Sequence, residues 1–181
     1  GVIPAEKVSD VPLLQPDQPW EDGWQRFSGN SNIIYDEEEE LFKTWYVVSQ
    51  ELSSARAETA EALAYAISKD GIHWEKPILN IIEDNGSKAN NLVMPFFRWA
   101  TYGVIKDPIE ADPSKRYKML FMFQCEHMQF AGMTQPVCVA YSADGINWET
   151  PQAWVNPIIP EGTDTILASH WDPKLHRYVV Y

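Results

Sequence analysis

The sequence predicts an all-β fold, a β-propeller of four-stranded antiparallel blades, of which this chain of 181 residues carries about two and a half. Three observations support this prediction. A ten-residue turn motif occurs twice at a fixed spacing. Three strand–turn–strand segments, each with an aspartate at the end of its first strand, follow one another along the chain. Aromatic residues reach 13%, which suits strands, and Gly and Pro punctuate the sequence instead of forming low-complexity tracts.

The repeated turn motif reads Ser-Xaa-Asp-Gly-Ile-Xaa-Trp-Glu-Xaa-Pro and occupies residues 68–77 and 142–151. Its aspartates, Asp70 and Asp144, are 144 minus 70, or 74, residues apart, and self-similarity at a fixed spacing is typical of repeat architectures. An Asp-Gly pair that follows apolar and small residues predicts a tight hairpin. The tryptophan of each motif then falls on the returning strand, where its ring can pack over the turn.

The remaining strands of each unit precede the turn motif. The first strands end at Asp36, Asp107 and Asp172, at offsets of 71 and 65 residues, and each is followed by a turn and a second strand. We therefore predict that each unit is a four-stranded meander of about 70 residues, which is how a propeller blade is built. We interpret the three aspartates as turn residues. The acidic run at residues 36–40 is interpreted as a solvated turn in preference to a calcium site, because the EF-hand spacing and glycine are absent.

The unit boundaries follow from these strands. We expect the tail of a preceding blade at residues 1–24, blade one at about 25–83, blade two at about 84–158 and the first half of blade three at about 159–181. Because two and a half blades would leave apolar faces and a strand edge bare, we expect a piece of a larger propeller or self-association that completes the ring. The alternative is a self-contained sandwich of about ten strands.

Charge and composition limit the classes of partner and cofactor that we expect for this protein. The net charge of −12 repels phosphate backbones, so nucleic acid is not an expected partner. The sequence contains no apolar run of 18 residues, so we expect no membrane span. No signal peptide is visible, but a processed chain would have lost one, and we expect a secreted or periplasmic protein. We expect no metal or other cofactor, because no Cys/His cluster has zinc spacing. Cys125 and Cys138 are compatible either with a disulfide or with two buried thiols.

Several catalytic motifs are absent. The sequence has no Gly-x-Gly-x-x-Gly, P-loop, Gly-x-Ser-x-Gly or His-Glu-x-x-His pattern. These absences argue against nucleotide-dependent enzymes, serine hydrolases of the α/β type and zincins. The remaining possibilities are an enzyme that uses carboxylate side chains and a binding protein without catalytic activity.

The paired turn motifs, the segment Phe42-Lys43-Thr44-Trp45-Tyr46 and the turn from Asp172-Pro173 to Arg177-Tyr178 resemble five-bladed propeller proteins of the glycoside hydrolase family 32/43 superfamily, often described as family 32 N-terminal-like. The motif is also similar to the sialidase Asp-box, although it is one residue shorter between Asp and Gly. The resemblance covers about residues 19–181. It implies that the Asp-box-like turn is peripheral and structural, so Asp70 and Asp144 are not nominated as catalytic. The triplet Lys106-Asp107-Pro108 differs from the family's Arg-Asp-Pro, because here a turn follows it instead of a strand.

The candidate site lies where the innermost strands of a propeller begin, around a central funnel. Superposing the units brings a carboxylate and two amides to comparable places, namely Asp164, Asn32 and Asn91. Such groups hydrogen-bond vicinal sugar hydroxyls, and tryptophans at the rim offer stacking faces, namely Trp20, Trp24 and Trp99. Further carboxylates near this rim are Glu21 and Asp22.

Glycoside hydrolysis usually needs two carboxyl groups, one as acid and one as nucleophile or base. We predict that Asp164 is one of them, with Glu21 or Asp22 as the second, and that carbohydrate is the ligand. The resemblance implies that the acid is usually a Glu on a later blade, so an isolated chain need not be active. The alternatives are a non-catalytic carbohydrate-binding propeller and a protein-interaction repeat. For Asp164 itself, the alternative is a turn residue that bonds the Thr165 amide.

Overall fold

The computed structural model describes residues 7–21, 25–26, 33–53, 58–97, 100–123, 136–149, 158–159 and 169–180. Within these ranges the regular structure consists of strands and two short 3₁₀ turns, Pro19–Glu21 and Pro113–Lys115. The strands are β1 (Gln25–Arg26), β2 (Ile33–Asp36), β3 (Leu41–Ser53), β4 (Glu58–Ser68), β5 (Trp74–Glu75), β6 (Leu92–Phe97), β7 (Ala100–Lys106), β8 (Tyr117–Phe123), β9 (Val137–Ser142), β10 (Trp148–Glu149), β11 (Ser169–Asp172) and β12 (Arg177–Val180). None of the described residues forms a helix of the length and hydrophobicity that crossing a membrane requires.

The first sheet, here sheet one, contains the antiparallel meander β2-β3-β4-β5 that the sequence predicts. Strand β3 is long enough to pair with β2 along its first half and with β1 farther on. Strand β4 likewise pairs first with β6 and then with β5. The pairing of β6 with sheet one is an addition to the predicted four-stranded unit.

The second sheet, sheet two, is the antiparallel meander β7-β8-β9-β10, and sheet three is the pair β11-β12. The all-β prediction is therefore confirmed. The sheets that the described residues form are antiparallel, which is compatible with a section of a propeller.

Sheets one and two pack face to face around the main apolar core. We call the face of each sheet that points toward the following sheet its front, and the opposite face its back. The front of sheet one contributes Trp45, Leu63 and Tyr65, and the back of sheet two contributes Met119 and other apolar side chains. Each such side chain stabilises the fold by about 1.5–3 kcal/mol when fully buried.

Two smaller clusters continue the same stacking. On the back of sheet one, Tyr46 and Val48 pack under Leu14 and Trp20 of the N-terminal segment. On the front of sheet two, Leu120 packs with Val180 of sheet three. The three sheets thus follow one another in the order of the sequence.

The Asp-Gly motif forms the same turn twice. Asp70 accepts hydrogen bonds from the amides of Ile72 (2.8 Å) and His73 (2.7 Å) through one carboxylate oxygen. The carboxylate of Asp144 accepts from the two corresponding amides, each at 2.8 Å. The glycine that follows each aspartate has a left-handed φ, 74° at Gly71 and 77° at Gly145, which explains the residue type. The two aspartates are turn residues in the structure.

Candidate functional site

Asp36 connects sheet one to sheet two. Its carboxylate accepts hydrogen bonds from Lys43 of its own sheet at 2.8 Å, and from Lys106 at 2.6 Å and Tyr117 at 2.6 Å in the next sheet. The same carboxylate also accepts from the amides of Glu38 and Glu39, as expected for a turn residue. Asp36 is therefore both a turn residue and the centre of a polar contact between sheets, and the sequence interpretation anticipated only the first role.

The protonation of this cluster follows from its partners. Burial by itself would raise the pKa of Asp36, but the hydrogen bonds from Lys106, Lys43 and Tyr117 outweigh it and hold the pKa well below its usual range. Burial lowers the pKa of Lys43, but the bonds to Asp36 and Glu39 reverse this and raise it. Burial and the bond to Asp36 raise the pKa of Tyr117 to about 12. Near neutral pH Asp36 is thus a carboxylate, Lys43 an ammonium group and Tyr117 a neutral phenol.

Asp107 repeats this contact between sheets two and three. It accepts a hydrogen bond from Lys118 of its own sheet at 2.5 Å and a short one from the hydroxyl of Tyr178 in sheet three. Burial opposes ionisation of Asp107, but these bonds lower its pKa. We call the repeated arrangement of aspartate, lysine and tyrosine the inter-sheet relay. In sheet three, Asp172 accepts from the amides of Lys174 and Leu175, as a turn residue.

The N-terminal segment is anchored to sheet one through Glu21. This carboxylate is 0% exposed and accepts hydrogen bonds from Lys76 at 2.7 and 2.8 Å, and from the hydroxyl of Tyr46 at 2.8 Å. The amides of Asp17 and Gln18 donate to it as well. Both oxygens of Glu21 are therefore occupied by structural partners.

Trp20 and Asn91 belong to the same network. The indole N–H of Trp20 donates to the side-chain oxygen of Asn91 at 2.8 Å. The side-chain nitrogen of Asn91 donates in turn to the hydroxyl of Tyr46 at 2.8 Å and to the carbonyl oxygen of Tyr65 at 2.7 Å. Burial and the nearby charge of Glu21 raise the pKa of Tyr46, so its hydroxyl stays neutral and donates to Glu21.

The structure thus brings together three residues that the sequence places at one rim. Trp20, Glu21 and Asn91 meet on the back of sheet one, and Asn91 directly precedes β6 instead of the first strand of sheet two. Strand β6 therefore lies between Asn91 and β7, and no local signal in the sequence indicates it. The other candidates, Asp164, Asp22, Asn32, Trp24 and Trp99, lie outside the described residues.

The sequence interpretation overlooked Glu61 and Ser49. These residues are directly paired across β3 and β4, and only 6% and 5% of their surfaces are exposed. Both lie on the front of sheet one. Ser49 follows the part of β3 that pairs with β2, which reaches Thr44 opposite Ile33. The hydroxyl of Ser49 has no hydrogen-bond partner within the described parts of the chain. The signal was the strand parity: Glu61 shares a face with Leu63 and Tyr65, both of which are in the core.

Two adjoining clefts lie along the N-terminal segment. The larger, of about 410 Å³, is polar and includes Asp17, Gln18 and Lys76 in its lining. The smaller, of about 270 Å³, is apolar and includes Ile33 and Gly71. Trp74 lines both. Across the described ranges, no three His, Cys, Asp or Glu side chains converge in a way that could hold a metal ion.

No protein-family model matches the chain, and no curated protein sequence matches it. Among solved structures, the chain is similar to one described as a complex of BT0996 and RGII and to one described as "Glycoside hydrolase", each with a TM-score of 0.49 and 17% identity over 90% of this chain. It is also similar to an N-acetylgalactosamine deacetylase from F. plautii in complex with blood group B trisaccharide, with a TM-score of 0.42 and 20% identity over 79% of this chain. The chain spans 42% of the first two proteins and 36% of the third.

Proposed function

We propose that this protein is a section of a β-propeller of the glycoside hydrolase type, which acts on carbohydrate in a funnel at the starting ends of its first strands. The blade boundaries near residues 25, 84 and 159, and a secreted or periplasmic location, are part of the proposal. The ligand is an oligo- or polysaccharide, as the resemblance of the paired turn motifs implies.

The inter-sheet relay is the observation that carries this proposal. Asp36 ends β2, and Asp107 directly follows the equivalent strand, β7. Each bonds a lysine of its own second strand and a tyrosine of the next sheet. The same residue types in the same register mean that sheets one, two and three follow one another by one packing relation. Repetition of one such relation around an axis generates a propeller, whose first strands surround a shared channel.

The funnel is proposed at the opposite end of the strands from the relay. Asp164 and Asn32 precede the first strands of units three and one, and Trp99 immediately precedes β7. Glu61 and Ser49 lie toward this end of sheet one and add a buried carboxylate and a hydroxyl. We propose Asp164 as the reacting carboxylate, with Asp22 as the second.

One observation favours a binding function without hydrolysis. Glu21, the other carboxylate that the sequence nominated, is fully buried and occupied by Lys76 and Tyr46. A funnel in which Asp164 supplies the single carboxylate would bind sugar without cleaving it, because hydrolysis usually needs a second carboxyl group within about 10 Å.

A screen of aryl glycosides and of immobilised polysaccharides tests both forms of the proposal. For the hydrolytic form we expect turnover that Asp164→Asn lowers by about 10²–10⁴-fold, the usual contribution of a positioned acid or base. Asp172→Asn is the matched control, because among the described residues that carboxylate accepts from turn amides, and it should leave turnover unchanged.

The remaining outcomes are distinct. Sugar binding that Asp164→Asn weakens, without turnover, would favour the binding form. A folded protein that neither binds nor cleaves any glycan would reject the proposal. Unchanged activity of Asp164→Asn, with an unchanged melting temperature, would reject the assigned residue.

A further inference from the structure

The loop between β5 and β6 carries a two-residue hairpin turn at Asn85-Gly86. The amide of Asp84 donates to the carbonyl oxygen of Ser87, and the amide of Ser87 donates back to the carbonyl oxygen of Asp84, each at 2.9 Å. Both central residues have a left-handed φ, 48° at Asn85 and 78° at Gly86, as in a type I′ turn. These two residues are exposed, and theirs is the one Asn-Gly pair in the sequence.

An asparagine that precedes glycine can react with its own backbone. The main-chain nitrogen of the glycine attacks the side-chain Cγ atom, a C–N bond forms, and the side-chain nitrogen leaves as ammonia with the proton of the attacking amide. The product is a five-membered succinimide ring. Water then opens the ring at either carbonyl carbon and yields aspartate or isoaspartate, in which the main chain runs through the former side chain. The reaction consumes one water molecule and needs no other partner.

The amide of Gly86 is placed for this attack. The two backbone bonds of the turn use the amides of Asp84 and Ser87, and across the described ranges the Gly86 amide has no acceptor. A Cβ atom on Gly86 would meet nothing within 4 Å, so the space around the attacking nitrogen is open. Exposure of Asn85 gives water access to the ring that forms.

The Asp-Gly pairs of the repeated turn motif show how the same chemistry is prevented. Aspartate before glycine also forms succinimides. In the first copy, however, the amide of Gly71 donates to the hydroxyl of Ser68 at 2.9 Å, and the carboxylate of Asp70 accepts from two amides of the turn. The second copy repeats these bonds. The attacking nitrogen and the attacked group are both held in the motif, whereas the Gly86 amide is not.

The other described asparagines are less suited to the reaction. Asn80 is exposed and has a left-handed φ of 59°, but the β-branched side chain of Ile81 hinders attack by the next nitrogen. Asn90 and Asn91 are only 2% and 0% exposed. Asn147 is followed by a tryptophan, which crowds the attacking nitrogen in the same way.

We infer that Asn85 is a site of spontaneous covalent modification, at which the chain converts this asparagine to aspartate and isoaspartate through attack by the Gly86 nitrogen. The attack requires the backbone at Asn85 to rotate out of the turn, which breaks the two bonds between Asp84 and Ser87. Such a short bridge at an exposed loop tip opens readily. The inference goes beyond the proposed function and does not depend on it.

Isoaspartate at this position changes the loop. It lengthens the main chain of the turn by one methylene group, so the reciprocal bonds between Asp84 and Ser87 no longer fit. Ser87 also holds the following residues, because its hydroxyl accepts from the amide of Ala89 at 3.1 Å and its carbonyl oxygen from the side chain of Asn90 at 3.3 Å. We therefore expect the modification to loosen the loop as far as Asn90.

Incubation of the purified chain at mildly alkaline pH, followed by tryptic digestion and tandem mass spectrometry, tests the site. Asn85 should acquire the mass of a carboxyl group before any other described asparagine, as a mixture of aspartate and isoaspartate. Asn80 is the internal control, because it lies in the same tryptic peptide, residues 70–88, and should remain an amide over the same time. Asn85→Gln should abolish the acidic product, because glutamine would have to close a six-membered ring.

Asn85→Asp separates the added charge from the added methylene group. It has the charge of the product on an unaltered main chain, so hydrogen exchange at the amides of Ala89 and Asn90 should match that of the wild type. In the isoaspartate form, isolated by chromatography, exchange at the same two amides should be faster.

Three results would overturn the inference: an Asn85 that remains an amide throughout, conversion of Asn80 or Asn147 as fast as that of Asn85, or the same acidic product from Asn85→Gln. Unchanged exchange in the isoaspartate form would overturn the structural consequence. These readouts involve no glycan, so failure of the proposed function would leave the inference standing.

Discussion

At the scale of single residues, the buried carboxylate of Asp36 decides how sheets one and two fit. A buried ion pair contributes little net stability, because desolvation of the charges offsets their attraction. Removing one partner is different, because it leaves the other charge buried and uncompensated. Without Asp36, Lys43, whose side chain is only 1% exposed, would lose its buried carboxylate partner and retain the more exposed Glu39. The relay is therefore better understood as a device that fixes the relative position of the sheets.

Asp36→Asn should lower the free energy of unfolding by about 3–5 kcal/mol, the usual cost of breaking a buried pair. The measurement is urea unfolding at neutral pH. Asp172→Asn is the control, because in the described part of the chain its carboxylate accepts from two turn amides and from no lysine side chain, and the cost should stay at about 1 kcal/mol, or one hydrogen bond. Equal losses in the two variants would show that the relay contributes nothing beyond its turn.

The same pair of variants has a pH signature. Because the pKa of Asp36 is depressed in the folded state, its stabilisation is complete above the unfolded pKa, near about 3.9, and is lost as pH falls toward the folded value. The wild type should therefore lose stability on acidification below about pH 4 more steeply than Asp36→Asn.

At the scale of elements, the repeated turn is the part of the fold that sequence predicts best. Its hydrogen bonds are local, so Ser68, Asp70 and Gly71 form the turn wherever the flanking strands lie. Strand β6 could not be predicted in the same way. Its residues form one apolar run with a proline, and their pairing with β4 depends on contacts that no local pattern specifies.

The two glycines of the repeated turn separate local from tertiary effects. Gly71 and Gly145 have nearly the same φ, so alanine should impose a similar backbone strain, about 1–2 kcal/mol, at each. Only at Gly145 would the added methyl group also strike a ring, that of Trp45. Gly145→Ala should therefore cost about 1–3 kcal/mol more than Gly71→Ala in thermal or urea unfolding. Equal costs would mean that the Trp45 ring of sheet one moves aside for the methyl group added at Gly145.

At the scale of the whole molecule, the sequence predicted the order of the sheets better than the candidate site. Apolar periodicity and turn residues are local signals, and they sufficed for the meanders. The sequence suggested a rim for Trp20, Glu21 and Asn91, but not the hydrogen bonds by which they anchor the N-terminal segment. Those bonds depend on Lys76 and Tyr46, which only the tertiary structure brings close. Glu61 escaped notice because a charged residue in a strand is usually assigned to the solvent face.

The serial packing of the sheets predicts a gradient of local stability. Strands β3 and β4 are covered on both faces, whereas the described part of sheet three is the pair β11-β12, which is tied to sheet two by Tyr178 and Val180. Hydrogen exchange should therefore be slowest in β3 and β4 and fastest in β11 and β12, because two-stranded sheets are marginal by themselves.

Tyr178→Phe removes the bond to Asp107 and should speed exchange in β11 and β12 about fivefold to tenfold, the equivalent of one hydrogen bond of about 1 kcal/mol. Tyr141→Phe, on a strand of sheet two, is the control and should leave sheet three unchanged. Faster exchange in β3 and β4 of Tyr178→Phe would instead mean that the sheets unfold as one cooperative unit, and that the relay transmits stability along the whole series.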